Sequence, residues 1–76
     1  MKVHIRYNKN IKISEGKLAA QVAHLIIQMG ITDKECDIVV LMAYNSQFKR
    51  LCKQVPNVHV YLDVEQGTAT VLGWIE

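Results

Sequence analysis

A chain of 76 residues, half of them apolar and with a formal net charge of +2, has material for one hydrophobic core and no second one. The charge is too small to argue for nucleic acid by itself. The two cysteines lack paired spacing and the three histidines are dispersed, so neither a disulfide framework nor a metal site is expected, and no cofactor. The longest apolar run, Ile38 to Ala43, is far too short to span a bilayer. Unpaired thiols and the absence of a secretory leader predict a soluble, cytoplasmic protein. So small a domain leaves much of its surface bare, which predicts self-association as a homodimer.

Val3, Ile5 and Tyr7 alternate with His4 and Arg6, the period-2 pattern of a strand buried mainly on one face. Asn8 to Asn10 reads as a loop, and Ser14 as the N-cap of a helix from Gly16 to Gly30, with Glu15 suiting the positive end of its dipole. Gly30 supplies the stop. Ile31 to Glu35 is a short polar connection. Ile38 to Ala43 is apolar at every position, as in strands covered on both faces, and this predicts a central place in the sheet. Asn45 or Ser46 can cap a second helix carrying Phe48, Leu51, Cys52 and Val55 at helical spacing, which Pro56 ends. Val58, Val60 and Leu62 alternate with His59 and Tyr61, giving a third strand in which His59 and Tyr61 need no functional role. A turn from Asp63 to Gly67 leads to a last strand from Thr68 to Ile75. The predicted fold is a single small α/β domain of order β-α-β-α-β-β, with two helices on a mixed, mostly parallel four-stranded sheet.

The first helix is unusual. At about 100° per residue, Lys17, Gln21, His24 and Gln28 fall within about 60° of one another, and nearly everything else is apolar. A surface helix normally shows a broad charged face. This one predicts packing on several sides around a narrow open seam of ammonium, amide and imidazole. Lys9, Lys12 and Lys17 gather where the first strand hands over to the helix, an edge that favours anionic groups. Lys49, Arg50 and Lys53 form a second basic cluster, and Asp33, Glu35 and Asp37 an acidic one.

The run Gly16-Lys17-Leu18-Ala19-Ala20-Gln21-Val22-Ala23-His24 resembles the signature helix of the type 2 peptidyl-tRNA hydrolases. Asp37 to Leu41 resembles the second strand of that family and Thr70 to Gly73 its closing strand. The resemblance implies hydrolysis, without a metal, of the ester between a peptide or acyl-amino acid and transfer RNA. It also implies a catalytic set of Lys17, Gln21, His24 and Asp63, with Lys9, Lys12 and Lys17 holding the transfer RNA. An ammonium can stabilise an oxyanion or bind phosphate, an amide can orient water, and an imidazole or carboxylate can take a proton. The chain departs from the family in two places. It is shorter between the first helix and second strand, and after Asp63 the family's threonine-bearing segment has no clear match. A catalytically inactive relative that binds transfer RNA or a protein partner is therefore the alternative expectation.

Overall fold

A computed structural model describes residues 1–76. The elements are β1 (Lys2–Asn8), α1 (Glu15–Gln28), β2 (Asp37–Ala43), α2 (Asn45–Gln54), β3 (His59–Asp63) and β4 (Thr68–Ile75), in the expected order. They form one four-stranded sheet of order β2-β1-β4-β3. The helices occupy opposite faces: α1 packs with Val3, Ile5 and Val71, while Phe48 of α2 packs with Ala43 and Leu72. The link from β1 to β2 moves one way across the sheet and that from β2 to β3 moves the other. Right-handed crossovers then require one helix on each face.

Two expectations about the sheet are corrected. It is mostly antiparallel by pairing: β1 and β2 run parallel, but β4 is antiparallel to both β1 and β3. The first three strands still share a direction. The short turn after β3 folds β4 back between β3 and β1, so both of its pairings are antiparallel. The apolar run of β2 is not central either. It forms an edge, with Ile38, Val40, Leu41 and Met42 each 42–50% exposed. The reason is that α1 leans over β3 and β4 rather than over β2.

The first helix is also less enclosed than its composition predicts. Only Gln21 and Leu25 are buried, whereas Leu18, Val22, Ile26 and Met29 are half-buried and Ala19, Ala23 and Ile27 face solvent. Its ends follow the sequence. The Ser14 hydroxyl accepts from the Lys17 N–H at 3.3 Å. At the other end the Gly30 N–H reaches the Ile27 carbonyl and the Ile31 N–H the Ile26 carbonyl, with Gly30 at φ 74°. This is a Schellman stop, and it requires the left-handed residue that glycine supplies.

Close packing of α1 depends on Gly73 in β4. A Cβ there would sit 2.7 Å from Ile5 Cδ1 and 3.2 Å from Leu25 Cδ2, both sealed in the core. Gly73 thus lets the C-terminal turns of α1, through Leu25, approach the sheet beside the start of β3. The second helix begins without a side-chain cap of its own: Asn10 Oδ1 accepts the Asn45 N–H at 2.6 Å, so neither Asn45 nor Ser46 is the cap.

Candidate functional site

A cleft of about 250 Å³ opens between α1 and the turn joining β3 to β4. Lys17, Gln21, His24 and Asp63 all line it. The three helix residues descend one flank of α1, and Asp63 arrives as the last residue of β3, at the carboxyl end of its strand. Glu65 and Tyr61 complete the rim and wall. Tyr61, read from sequence as an exposed strand residue, stacks on the His24 ring with centroids 6.0 Å apart and an interplanar angle of 16°.

The floor is a chain of side-chain hydrogen bonds. The Thr70 hydroxyl donates to Gln21 Oε1 at 2.6 Å, and Gln21 Nε2 donates to Asp63 Oδ2 at 2.6 Å. Lys17 Nζ lies 4.0 Å from the same oxygen and pairs with the Glu65 carboxylate. The other carboxylate oxygen, Asp63 Oδ1, accepts the backbone N–H groups of Glu65 at 2.9 Å and Gln66 at 3.2 Å. Asp63 therefore does two jobs. One oxygen shapes the turn, as turn aspartates do, and the other faces the amide and ammonium in the cleft.

Thr70 was not legible as a site residue. Its side chain reaches Gln21 because of a bulge: Tyr61 pairs with Val71 and Leu62 with Ala69, so Thr70 is an extra residue on β4. Val71 packs under α1 while Leu72 and Ala69 pack under α2. Strict alternation would send Thr70 to the α2 side. The bulge instead turns both Thr70 and Val71 towards α1. No glycine or proline marks the place in the sequence.

Burial acts to raise the Asp63 pKa, but the Gln66 N–H, the Gln21 amide, the Lys17 ammonium and the Glu65 N–H together outweigh it and hold the carboxyl below its ordinary value. The Lys17 ammonium is held above its ordinary value, chiefly by its hydrogen bond to Glu65; partial desolvation opposes this and the Asp63 charge adds to it. At neutral pH the cleft thus holds an ammonium between two carboxylates.

Lys9 and Lys12 stand apart from the cleft. Lys9 sits in the loop after β1, with its N–H on the Ala43 carbonyl and its ammonium 5.5 Å above the Tyr44 ring, and Lys12 is exposed further along the same loop. Both lie at the carboxyl edge of the sheet, as does Lys17 in the first turn of α1. No group of three or more His, Cys, Asp or Glu side chains is arranged to hold a metal ion. No helix is long and apolar enough to cross a membrane. The chain matches no model of a known protein family, and no curated protein matches it.

Proposed function

We propose that the cleft hydrolyses the ester joining a peptide or acyl-amino acid to transfer RNA, using water and no metal. The observation that carries the reading is the bonded chain from Thr70 through Gln21 to Asp63, closed by Lys17 at the mouth of an open cleft. A carboxylate as buried as Asp63 is costly unless paired, and here it borders a space large enough for an ester and its nearest substituents.

Water adds to the ester carbonyl carbon, the bond to the ribose oxygen breaks, and that oxygen takes up a proton as the free hydroxyl leaves. Lys17 stabilises the oxyanion or a neighbouring phosphate. Asp63, kept ionised by its donors, is a weak base, so it holds and orients the water more than it abstracts a proton. Gln21 is fixed by bonds at both ends of its amide, which keeps the carboxylate oxygen in one position. His24, stacked on Tyr61 at the wall, positions the substrate and can share proton transfer. Lys9, Lys12 and Lys17 offer cations along one edge for the transfer RNA backbone.

The binding-only reading keeps one observation in its favour: in the free protein both Asp63 oxygens and the Lys17 ammonium are already engaged. A single assay separates the two. Purified protein is incubated with peptidyl-tRNA, and release of deacylated transfer RNA is followed alongside binding. Hydrolysis supports the enzyme. Binding without hydrolysis supports the inactive relative, and absence of both removes the transfer RNA reading altogether.

A further inference from the structure

The edge strand β2 carries more exposed apolar surface than its place in a lone domain explains. Ile38, Val40, Leu41 and Met42, followed by Tyr44, are all large, apolar and exposed. Edges that face water are normally blunted by lysine, proline, a bulge or a covering segment. Here positions 38 to 44 hold no charged residue and no proline, and the pairing of β2 with β1 is regular from Asp37 to Ala43. Both faces of the strand are apolar: Ile38, Val40 and Met42 lie beside Val3, Ile5 and Tyr7 on the α1 side, and Val39 and Leu41 lie on the other.

The backbone of this edge is open as well. The Asp37 N–H bonds to the Met1 carbonyl, and the Ala43 carbonyl accepts from the Lys9 N–H, so the odd-numbered residues of β2 point their polar groups at β1. Ile38, Val40 and Met42 consequently turn theirs outward. The ends of the strand differ in charge. Asp33, Glu35 and Asp37, with Lys34 among them, lead into it, whereas Lys9 is bonded at its far end.

We propose that β2 is a self-complementary edge at which two copies of this chain pair antiparallel about a two-fold axis at Val40. In that register Val40 opposes Val40 of the second copy and Ile38 opposes its Met42. All three outward-facing residues then fall on hydrogen-bonded positions. The acidic lead-in of each copy meets the Lys9 end of the other, whereas parallel pairing would set like charges side by side. Opposed residues in such a pair share a face, so Ile38, Val40 and Met42 of both copies form one apolar strip between the two α1 helices. The sheet becomes eight-stranded. Each cleft stays open, because β3 and Asp63 lie at the opposite edge from β2. The second copy thus accounts for the open, uncharged edge of β2 from Ile38 to Met42, and it does so independently of the reaction proposed above.

Light scattering and sedimentation equilibrium at micromolar concentrations test it. The expected result is a particle of twice the 8.7 kDa chain mass. Val40→Lys, which sets two ammonium groups on the axis, should give a folded monomer. Leu62→Lys, at the exposed position of the other edge strand, should leave the dimer intact. A monomeric unaltered chain, or a dimer that survives Val40→Lys, overturns the proposal. Should Val40→Lys fail to fold, amide exchange of the unaltered chain decides. The outward amides of Ile38, Val40 and Met42 should exchange about as slowly as those of Val39 and Leu41, with protection lost on dilution. Fast exchange at the three outward amides at every concentration overturns the pairing.

Discussion

Two polar clusters lie on opposite sides of the same sheet edge and are built to different ends. On the α2 side Asn8 Nδ2 donates to Asn45 Oδ1 at 3.0 Å, Asn8 Oδ1 accepts the Asn10 N–H at 3.0 Å, and Asn10 Oδ1 accepts the Asn45 N–H at 2.6 Å. That loop closes on itself. Its side chains are neutral and two of its three bonds satisfy backbone groups, so its work is to tie the loop after β1 to the start of α2. On the α1 side Thr70, Gln21 and Asp63 are all buried, at most 4% exposed, whereas of the three asparagines only Asn8 is, and the linked side chains end at a carboxylate and an ammonium facing open space. Side-chain hydrogen bonding is common to both. What separates a structural cluster from a candidate site is that the chain ends in charge and the charge borders a cleft.

Altering one buried polar residue on each side should separate the two clusters. Asp63→Asn keeps an oxygen for the Glu65 and Gln66 N–H groups but removes the charge, and it should lower single-turnover cleavage of peptidyl-tRNA by about 10² to 10⁴ with circular dichroism unchanged. Lys17→Ala should lower it too, and His24→Ala by less, since in the proposed mechanism the exposed imidazole chiefly positions the substrate. Asn8→Ala should do the reverse. It orphans groups at the loop and helix start, costs about 1–3 kcal/mol, and so should lower Tm by roughly 5–20 °C in a domain of this size, with turnover per folded molecule unchanged. Full activity in Asp63→Asn would sink the division of labour.

Titration sharpens the same contrast, because only one cluster is charged. The folded-state pKa of Asp63 is depressed, so its contribution to stability is fully present above its unfolded value of about 3.9 and is lost as pH falls through the lower folded value. Acid unfolding of Asp63→Asn should therefore show a shallower loss of stability below about pH 4 than the unaltered chain. Asn8→Ala should keep the original slope. Equal slopes in Asp63→Asn and the unaltered chain would mean that the carboxylate gains nothing from its donors.

A smaller effect is expected at Thr70. Thr70→Val keeps the β-branched shape but removes the donor to Gln21 Oε1, freeing the amide to rotate. Turnover should fall by about tenfold, the worth of roughly one hydrogen bond, with substrate binding unchanged. Thr70→Ser should restore most of it. A loss of binding with unchanged turnover would instead place Thr70 in substrate contact.

Much of the placement of this candidate site is readable in the sequence, and the omissions have physical causes. Local rules placed Ser14, Gly30 and the six elements, since capping and period-2 or 3.6 patterns act over a few residues. The spacing of Lys17, Gln21 and His24 put them on one flank of α1, and the turn chemistry of Asp63 held. Thr70 was lost because a bulge changes which face a strand residue meets without changing its composition. Strand order was lost because β4 enters the sheet between β1 and β3, a choice made by long-range pairing. The apolar run of β2 misled for a further reason: an apolar residue at every position says that both faces of a strand are apolar, and it is silent on where the strand sits in the sheet.

The smallest expected effect has the opposite sign and tests whether the cleft is held shut by its own charge. Glu65 stands on the turn, its side chain 77% exposed, and pairs with Lys17. A phosphate or developing oxyanion arriving at the ammonium must displace it. An exposed ion pair of this kind contributes little, so Glu65→Gln should tighten substrate binding by no more than about fivefold. Turnover at saturation should stay the same, since the pair is already broken once the substrate is bound. The gain should fade as salt rises, because screening weakens the Glu65 competitor in the unaltered chain as well. Measurement of KM and kcat for Glu65→Gln at low and high salt checks this: a fall in kcat would show that Glu65 holds Lys17 in its working position, whereas a lower KM at unchanged kcat shows a carboxylate that competes with the substrate for the same ammonium.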